Sequence, residues 1–259
     1  MSSEQRLRGL CIKTSPLGEN DRLITILSEE KGISRFAAPG ARKPKSSLAC
    51  VSPLILLDLQ VFGRKSLKSV RQIKIIKSYS KLGKSIECLA AAQAITELTF
   101  LLVGNNDAQE NYLSTVLVHL DRLQDYKFSS NGDLLILAIS IQSLMHLLAI
   151  GGLSLPLHYC CQSGKPINPP IGNWEWNCYF NPQDGFSYKE INNHHLKLNA
   201  SEIALLQRLL FPDLPIKSDG ELLGPKKVWL KILNLIQSWI INQLSRELSS
   251  LKILSEFYK

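Results

Sequence analysis

Between positions 35 and 45 the chain places four cations, Arg35, Arg42, Lys43 and Lys45, among Pro39, Gly40, Pro44, Ser46 and Ser47. Ammonium and guanidinium groups at this density suit a polyanion, because each phosphate they neutralise releases condensed counterions. Lys13, Arg22 (which follows Gly18-Glu19-Asn20-Asp21) and the group Arg64, Lys65 and Lys68 after Gly63 extend the same chemistry. A solvated hairpin loop would also be basic, and the distribution of charge decides between the two. Residues 1–85 carry 17 Lys and Arg against 6 Asp and Glu, a net +11, whereas the remainder carries 13 against 16. A chain with all its basic excess in one third points to a nucleic-acid-facing module there. Aromatic platforms are few: Phe36, Phe62 and Tyr79 are expected in the core. Binding is therefore expected to be mainly electrostatic, weakly sequence-selective and strongly salt-dependent.

A second cluster, His158, Cys160, Cys161, Cys178, His194 and His195, lies between Leu157 and Leu198 beside Trp174 and Trp176. A structural zinc site takes four soft ligands, usually as two close pairs. Cys160 and Cys161 are adjacent, and adjacent side chains rarely face one metal, while Cys178 stands alone. The expectation is free thiols without a metal or other cofactor. No basic stretch with an apolar core and cleavage site opens the sequence, so reduced cysteines in a cytoplasmic protein are expected. Catalytic signals are weak. The sequence has no Walker A, GxSxG or HExxH motif, and Ser163-Gly164-Lys165 lacks the upstream glycine of a phosphate loop. Glu87 and Glu97 are too far apart to act as a pair, and His119 and His146 sit in apolar helical surroundings. No nucleophile, base and orienter can be named together, so the chain is not expected to be an enzyme.

The elements that must position the cations follow from hydrophobic rhythm. Short apolar runs near Leu7–Thr14, Arg22–Leu27, Ile33–Ala38, Leu54–Phe62 and Leu67–Ile76, broken by Gly and Pro, predict a small antiparallel barrel. Five strands in about 80 residues fit an OB-like barrel, whose strands and loops hold single-stranded nucleic acid, and periodicity alone fits an SH3-like barrel nearly as well. After Tyr79 the rhythm is helical: Ser85–Val103, Ala108–Gln124 and Asp133–Ile150, with Asp107 and Asn131 as possible caps. The run from Leu134 to Leu157 is apolar enough to suggest a membrane span, but Ser140, Gln142, Ser143 and His146 predict a buried bundle helix instead. Ser201–Leu210, capped by Ser201, and a long helix opened by Gly224-Pro225 complete the bundle. Trp229, Leu233, Ile236, Ile240, Leu244, Leu248 and Leu251 form one stripe on that last helix. The fold class expected is α+β: an OB-like domain at 1–80, then an α-helical domain at 81–259 with an irregular insertion at about 157–198.

The first eighty residues resemble the RecO family of bacterial recombination mediators. The resemblance rests on Gly18-Glu19-Asn20-Asp21-Arg22-Leu23-Ile24-Thr25, then Glu30-Lys31-Gly32, then Ala38-Pro39-Gly40-Ala41-Arg42-Lys43-Pro44-Lys45-Ser46. It continues more weakly to the last helix. One departure stands out. Many members open a four-cysteine zinc module with CxxCG, whereas here Cys160-Cys161-Gln162-Ser163-Gly164 puts Ser163 in place of the second cysteine. The resemblance therefore implies a zinc-module-like but metal-free insertion. It also implies a DNA repair and recombination mediator that binds single- and double-stranded DNA and anneals complementary strands. With RecR, such a protein helps load RecA onto DNA covered by single-stranded-DNA-binding protein, at the nucleoid and away from membranes. DNA contact carries over to Arg22, Arg35, Arg42, Lys43 and Lys45, while Lys13, Arg64 and Lys65 rest on charge alone. The alternatives are an RNA-binding OB module with a helical partner-docking domain, and an enzyme seated in the Cys/His segment.

Overall fold

Alternating inward apolar and outward polar residues make strands of most of the first 78 residues. The computed structural model describes residues 4–63, 67–105, 110–126, 132–190 and 196–258. Arg64, Lys65, Asp107, Asn131, His194 and His195 lie outside them. Five strands, β1 (Gln5–Leu17), β2 (Asp21–Ser28), β3 (Gly32–Ala38), β4 (Ile55–Phe62) and β5 (Lys68–Ser78), close into a barrel in the order β1-β2-β3-β5-β4. Neighbours are antiparallel except at a short parallel seam, where Phe36 faces Lys68 and Ala37 faces Ser69. A meander would keep the strands in chain order. Here β5 returns between β3 and β4, which is the OB-like arrangement rather than the SH3-like one.

One strand turns the barrel's corner. The first half of β1 pairs with β4, from Gln5↔Val61 to Cys11↔Ile55, and its second half pairs with β2, with a bulge between Cys11 and Lys13. A bulge adds local twist and re-aims the strand. The bend needs close backbone approach at Gly9, where a Cβ would sit 2.6 Å from the Leu27 carbonyl oxygen. The barrel core is built by Leu7, Cys11, Ile24, Ile26, Phe36, Leu57, Leu59, Val61 and Val70. Burial pushes the Cys11 thiol up to about 12, with a backbone hydrogen bond and the nearby Arg22 charge opposing it.

The chain divides into two compact units: residues up to 92 with 96–124, and residues 93–95 with those from 125 onward. Besides the barrel, the first unit holds most of α1 (Ile86–Leu102) and nearly all of α2 (Tyr112–Asp125). The Ser85 hydroxyl caps α1 by accepting from the Cys88 amide at 3.2 Å. The end of β5 is tied to α2 by Asp121, which accepts from the Tyr79 hydroxyl at 2.6 Å and the Lys77 ammonium at 2.7 Å.

In the second unit, α3 (Gly132–Ile150) packs on α5 (Lys226–Leu244). Its buried polar residues Ser140, Gln142 and Ser143 are satisfied internally. Ser140 donates to the Ile136 carbonyl, Ser143 donates to that of Ser140, and Gln142 donates to the Phe211 and Asp213 carbonyls. Among the described residues, no helix is long and apolar enough to cross a membrane. Three expectations need correction. The cap of α4 (Ala200–Arg208) is Asn199, not Ser201; Asn199 and Glu202 form a reciprocal capping box. The last helix is not continuous: the left-handed Ser245 (φ 51°) stops α5, and α6 (Ser249–Glu256) carries Leu251 separately. The insertion, expected to be irregular, contains regular structure among its described residues, as β6 (Asn177–Asn181), β7 (Gly185–Ser187) and β8 (Leu196–Asn199) form a sheet in the order β7-β6-β8. The Phe180 ring meets those of Phe186 and Trp239 at tilted angles of 45° and 52°.

Candidate nucleic-acid interface

The sequence motifs first read as contacts turn out to grip each other. The Asp21 carboxylate accepts from the Gly40 amide at 2.7 Å, with Gly40 in the left-handed region at φ 65°. The Arg42 amide donates to the Asn20 carbonyl at 2.9 Å, and its guanidinium donates to the Gly18 carbonyl at 3.1 Å. Arg22 donates to the Val51 carbonyl at 2.8 Å and to that of Ala49 at 3.4 Å. Gly-Glu-Asn-Asp-Arg and Pro-Gly-Ala-Arg are thus two halves of one clasp between the β1–β2 turn and the β3–β4 connection. Successive turns order the connection (Lys43 amide to Gly40, Ser46 to Lys43, Ala49 to Ser46), and Ala41, Leu48 and Val51 plug the barrel core.

What the clasp presents is a pair of exposed lysines, Lys43 and Lys45. Beside it, on the outer wall of β1–β2–β3, Lys13 is opposite Thr25, and Thr25 is opposite Arg35. Residues directly opposite in adjacent strands share a face, so Lys13 and Arg35 flank Thr25 in one transverse row, both exposed. None of these four side chains has a hydrogen-bond or ion-pair partner among the described residues. The structure therefore brings Lys13 with Arg35, and Lys43 with Lys45, while the Arg22 and Arg42 guanidiniums donate to backbone carbonyls of the clasp.

Two features were missed in the sequence. Beside the β3–β5 seam a groove of about 310 Å³ is lined by Lys31, Arg35 and Lys68. Lys31 looked like a turn residue, and only the crossover of β5 brings it near Lys68. Phe62, expected in the core, is 40% exposed at the end of β4, while Phe36 and Tyr79 are buried as expected. On a separate wall, Arg6 lies in register with Gln60 and Gln72, and Arg8 with Asp58 and Lys74. The basic excess is therefore distributed around the barrel, with Asp58 interrupting it on that wall.

Among the described residues, no group of three or more His, Cys, Asp or Glu is placed to hold an ion. Ser163, where a second close cysteine would stand, instead bonds to Cys160. Burial alone would raise the Cys160 thiol, but that bond and neighbouring backbone amides outweigh it and bring it down to about 7. Cys178 is wholly buried, and burial pushes it up to about 12.

Comparison with known proteins agrees with this architecture. The family described as "Recombination protein O N terminal" matches residues 1–79, and "Recombination protein O C terminal" matches residues 83–252. The chain is 48% identical over 257 residues to "DNA repair protein RecO" of Prochlorococcus marinus strain MIT 9303, covering 99% of this chain and 96% of that one. It is 49% identical over 257 residues to the protein of that name from Synechococcus sp. strain WH7803, covering 99% and 95%. At 26% identity over 280 residues it still spans 96% of the Trichodesmium erythraeum protein of the same name. With both halves matched, in the order that the barrel and the helices follow along the chain, this chain belongs to the recombination protein O (RecO) family.

Proposed function

We propose that this protein is a DNA repair and recombination mediator that gathers nucleic-acid strands on its barrel by charge and involves no covalent chemistry. The observation that carries the reading is the set of exposed cations Lys13, Arg35, Lys43 and Lys45, without partners among the described residues, on the β1–β2–β3 wall and its clasp. Two complementary strands repel each other as polyanions. A surface that neutralises several phosphates on each lowers that repulsion and lets base pairing complete the annealing. The names of the relatives support DNA as the nucleic acid. The family resemblance adds RecR as co-loader, single-stranded-DNA-binding protein as the coat to be displaced and RecA as the protein finally loaded.

The test is a fluorescence annealing assay with complementary strands coated by single-stranded-DNA-binding protein, run across a salt series without nucleotide. The reading expects acceleration that fades steeply as salt rises. Absence of acceleration at low salt would end it. Competition between single-stranded DNA and RNA of the same sequence checks the choice of nucleic acid, because preferential retention of RNA would favour the RNA-binding alternative.

A further inference from the structure

The β3–β5 seam holds the pairs Phe36↔Lys68 and Ala37↔Ser69, and beside it lies the groove of about 310 Å³. Two ammonium groups converge there on one neutral oxygen: Lys31 Nζ donates to Gln5 Oε1 at 2.5 Å, and Lys68 Nζ reaches the same atom at 3.4 Å. Both lysines are half-buried, and neither forms an ion pair among the described residues. Of the described residues, none lining the groove is acidic; Arg35, Ser34 and Asn105 complete its polar rim. An amide oxygen can satisfy two N–H donors but cannot cancel two charges.

From this arrangement we infer that the groove is an anion site that seats one phosphate group between Lys31 and Lys68, with Arg35 on its rim. Both lysines then gain an anionic partner in place of one shared neutral oxygen, so that donor and acceptor are both ionised. Burial and the Lys68 charge already push the Lys31 ammonium below its ordinary value, with Glu30 opposing; a seated phosphate acts in the opposite direction. The phosphate could belong to a nucleic-acid backbone, which rests on the function proposed above, or be free in solution.

The test uses the full chain, the double variant Lys31→Gln/Lys68→Gln, and a control, Arg8→Gln/Lys74→Gln, that removes the same charge where Asp58 intervenes. Binding to a short oligothymidylate is measured across a salt series, and pyrophosphate is titrated while backbone amides are followed by NMR. The groove variant is expected to flatten the salt slope by about 0.7, the loss of one single-strand phosphate contact, and the control by clearly less. Pyrophosphate is expected to move the amides of Ile33, Ser34, Phe36 and Lys68 in the wild type and not in the groove variant. A pyrophosphate response with an unchanged oligonucleotide slope assigns the site to free phosphate, and the reverse assigns it to the backbone. If the oligonucleotide does not bind at all but the amides still respond, the site stands and the proposed function fails. An unchanged slope together with silent amides overturns the site while leaving the proposed function intact, as does an equal loss of slope in the control with silent amides. Lys31→Arg/Lys68→Arg, which keeps both charges, should retain both responses and guards against misfolding.

Discussion

Replacing Arg22 by Ala separates a structural arginine from a DNA-contacting one. The guanidinium donates to the Val51 carbonyl at 2.8 Å, a good charge-assisted length, and to the Ala49 carbonyl at 3.4 Å, near the outer limit. Hydrogen bonds from charged groups contribute about 1.5–3 kcal/mol net, so with one strong and one weak bond Arg22→Ala should cost roughly 2–3 kcal/mol. For a chain of this size each kcal/mol lowers Tm by about 2–4 °C, giving a fall of roughly 4–12 °C. The β3–β4 connection should also loosen, so trypsin should cut faster after Arg42 and Lys45. Lys43→Ala/Lys45→Ala is expected to do the opposite. Surface substitutions of this kind stay within about 0.5 kcal/mol in stability, yet DNA affinity should drop. Thermal unfolding by circular dichroism, timed proteolysis and oligonucleotide binding on both variants decide the matter. If Arg22→Ala keeps the wild-type Tm and cleavage rate but loses as much DNA affinity as the lysine pair, the clasp reasoning is wrong and Arg22 is a contact.

Three further outcomes are expected. Gly9→Ala puts a Cβ 2.6 Å from the Leu27 carbonyl oxygen, and the overpacking should destabilise the protein by about 1–3 kcal/mol in a denaturant melt. Ser163→Ala removes a hydrogen bond that favours the Cys160 thiolate, so thiolate absorbance in a pH titration should shift upward from about 7. Because the folded state holds this thiol deprotonated at lower pH than the unfolded chain does, its stabilising contribution is complete above the ordinary thiol range. That contribution fades as pH falls through about 7, and the Ser163→Ala variant should lack the part of this dependence that the hydroxyl supplies, the backbone amides keeping the rest. Lys231→Met leaves the Glu202 carboxylate, only 8% exposed, without the ammonium that contacts both its oxygens at 2.6 and 2.8 Å. The loss should be about 3 kcal/mol, the low end for a broken buried pair, and Glu202→Gln/Lys231→Met should recover much of it, since Gln still completes the capping box.

The barrel was legible because its strands alternate and because Gly and Pro mark its turns; all five strands lie close to where the pattern places them. The crossover of β5 between β3 and β4 was not legible, since alternation carries no pairing information, and with it went the meeting of Lys31 and Lys68. Arg22 and Arg42 show a second limit. A basic residue in a turn reads as a free charge, yet backbone carbonyls nearby can claim its donors, and only three-dimensional closure reveals which. The α5 break at Ser245 was hidden because the apolar stripe runs on through Leu248 and Leu251 in a second helix. The β6–β8 sheet was hidden because its strands are only three to five residues long, too short for a clear period.

The central claim is that Lys13, Arg35, Lys43 and Lys45 hold phosphates. Its most direct test is the affinity for a single-stranded oligonucleotide measured from low to high salt, for the wild type and for the variant with all four changed to Ala. If each holds one phosphate, the slope of log affinity against log salt should flatten by about 2–3, at about 0.7 per contact, with the melting temperature little changed. An equally folded variant that keeps the wild-type slope and affinity would contradict the account.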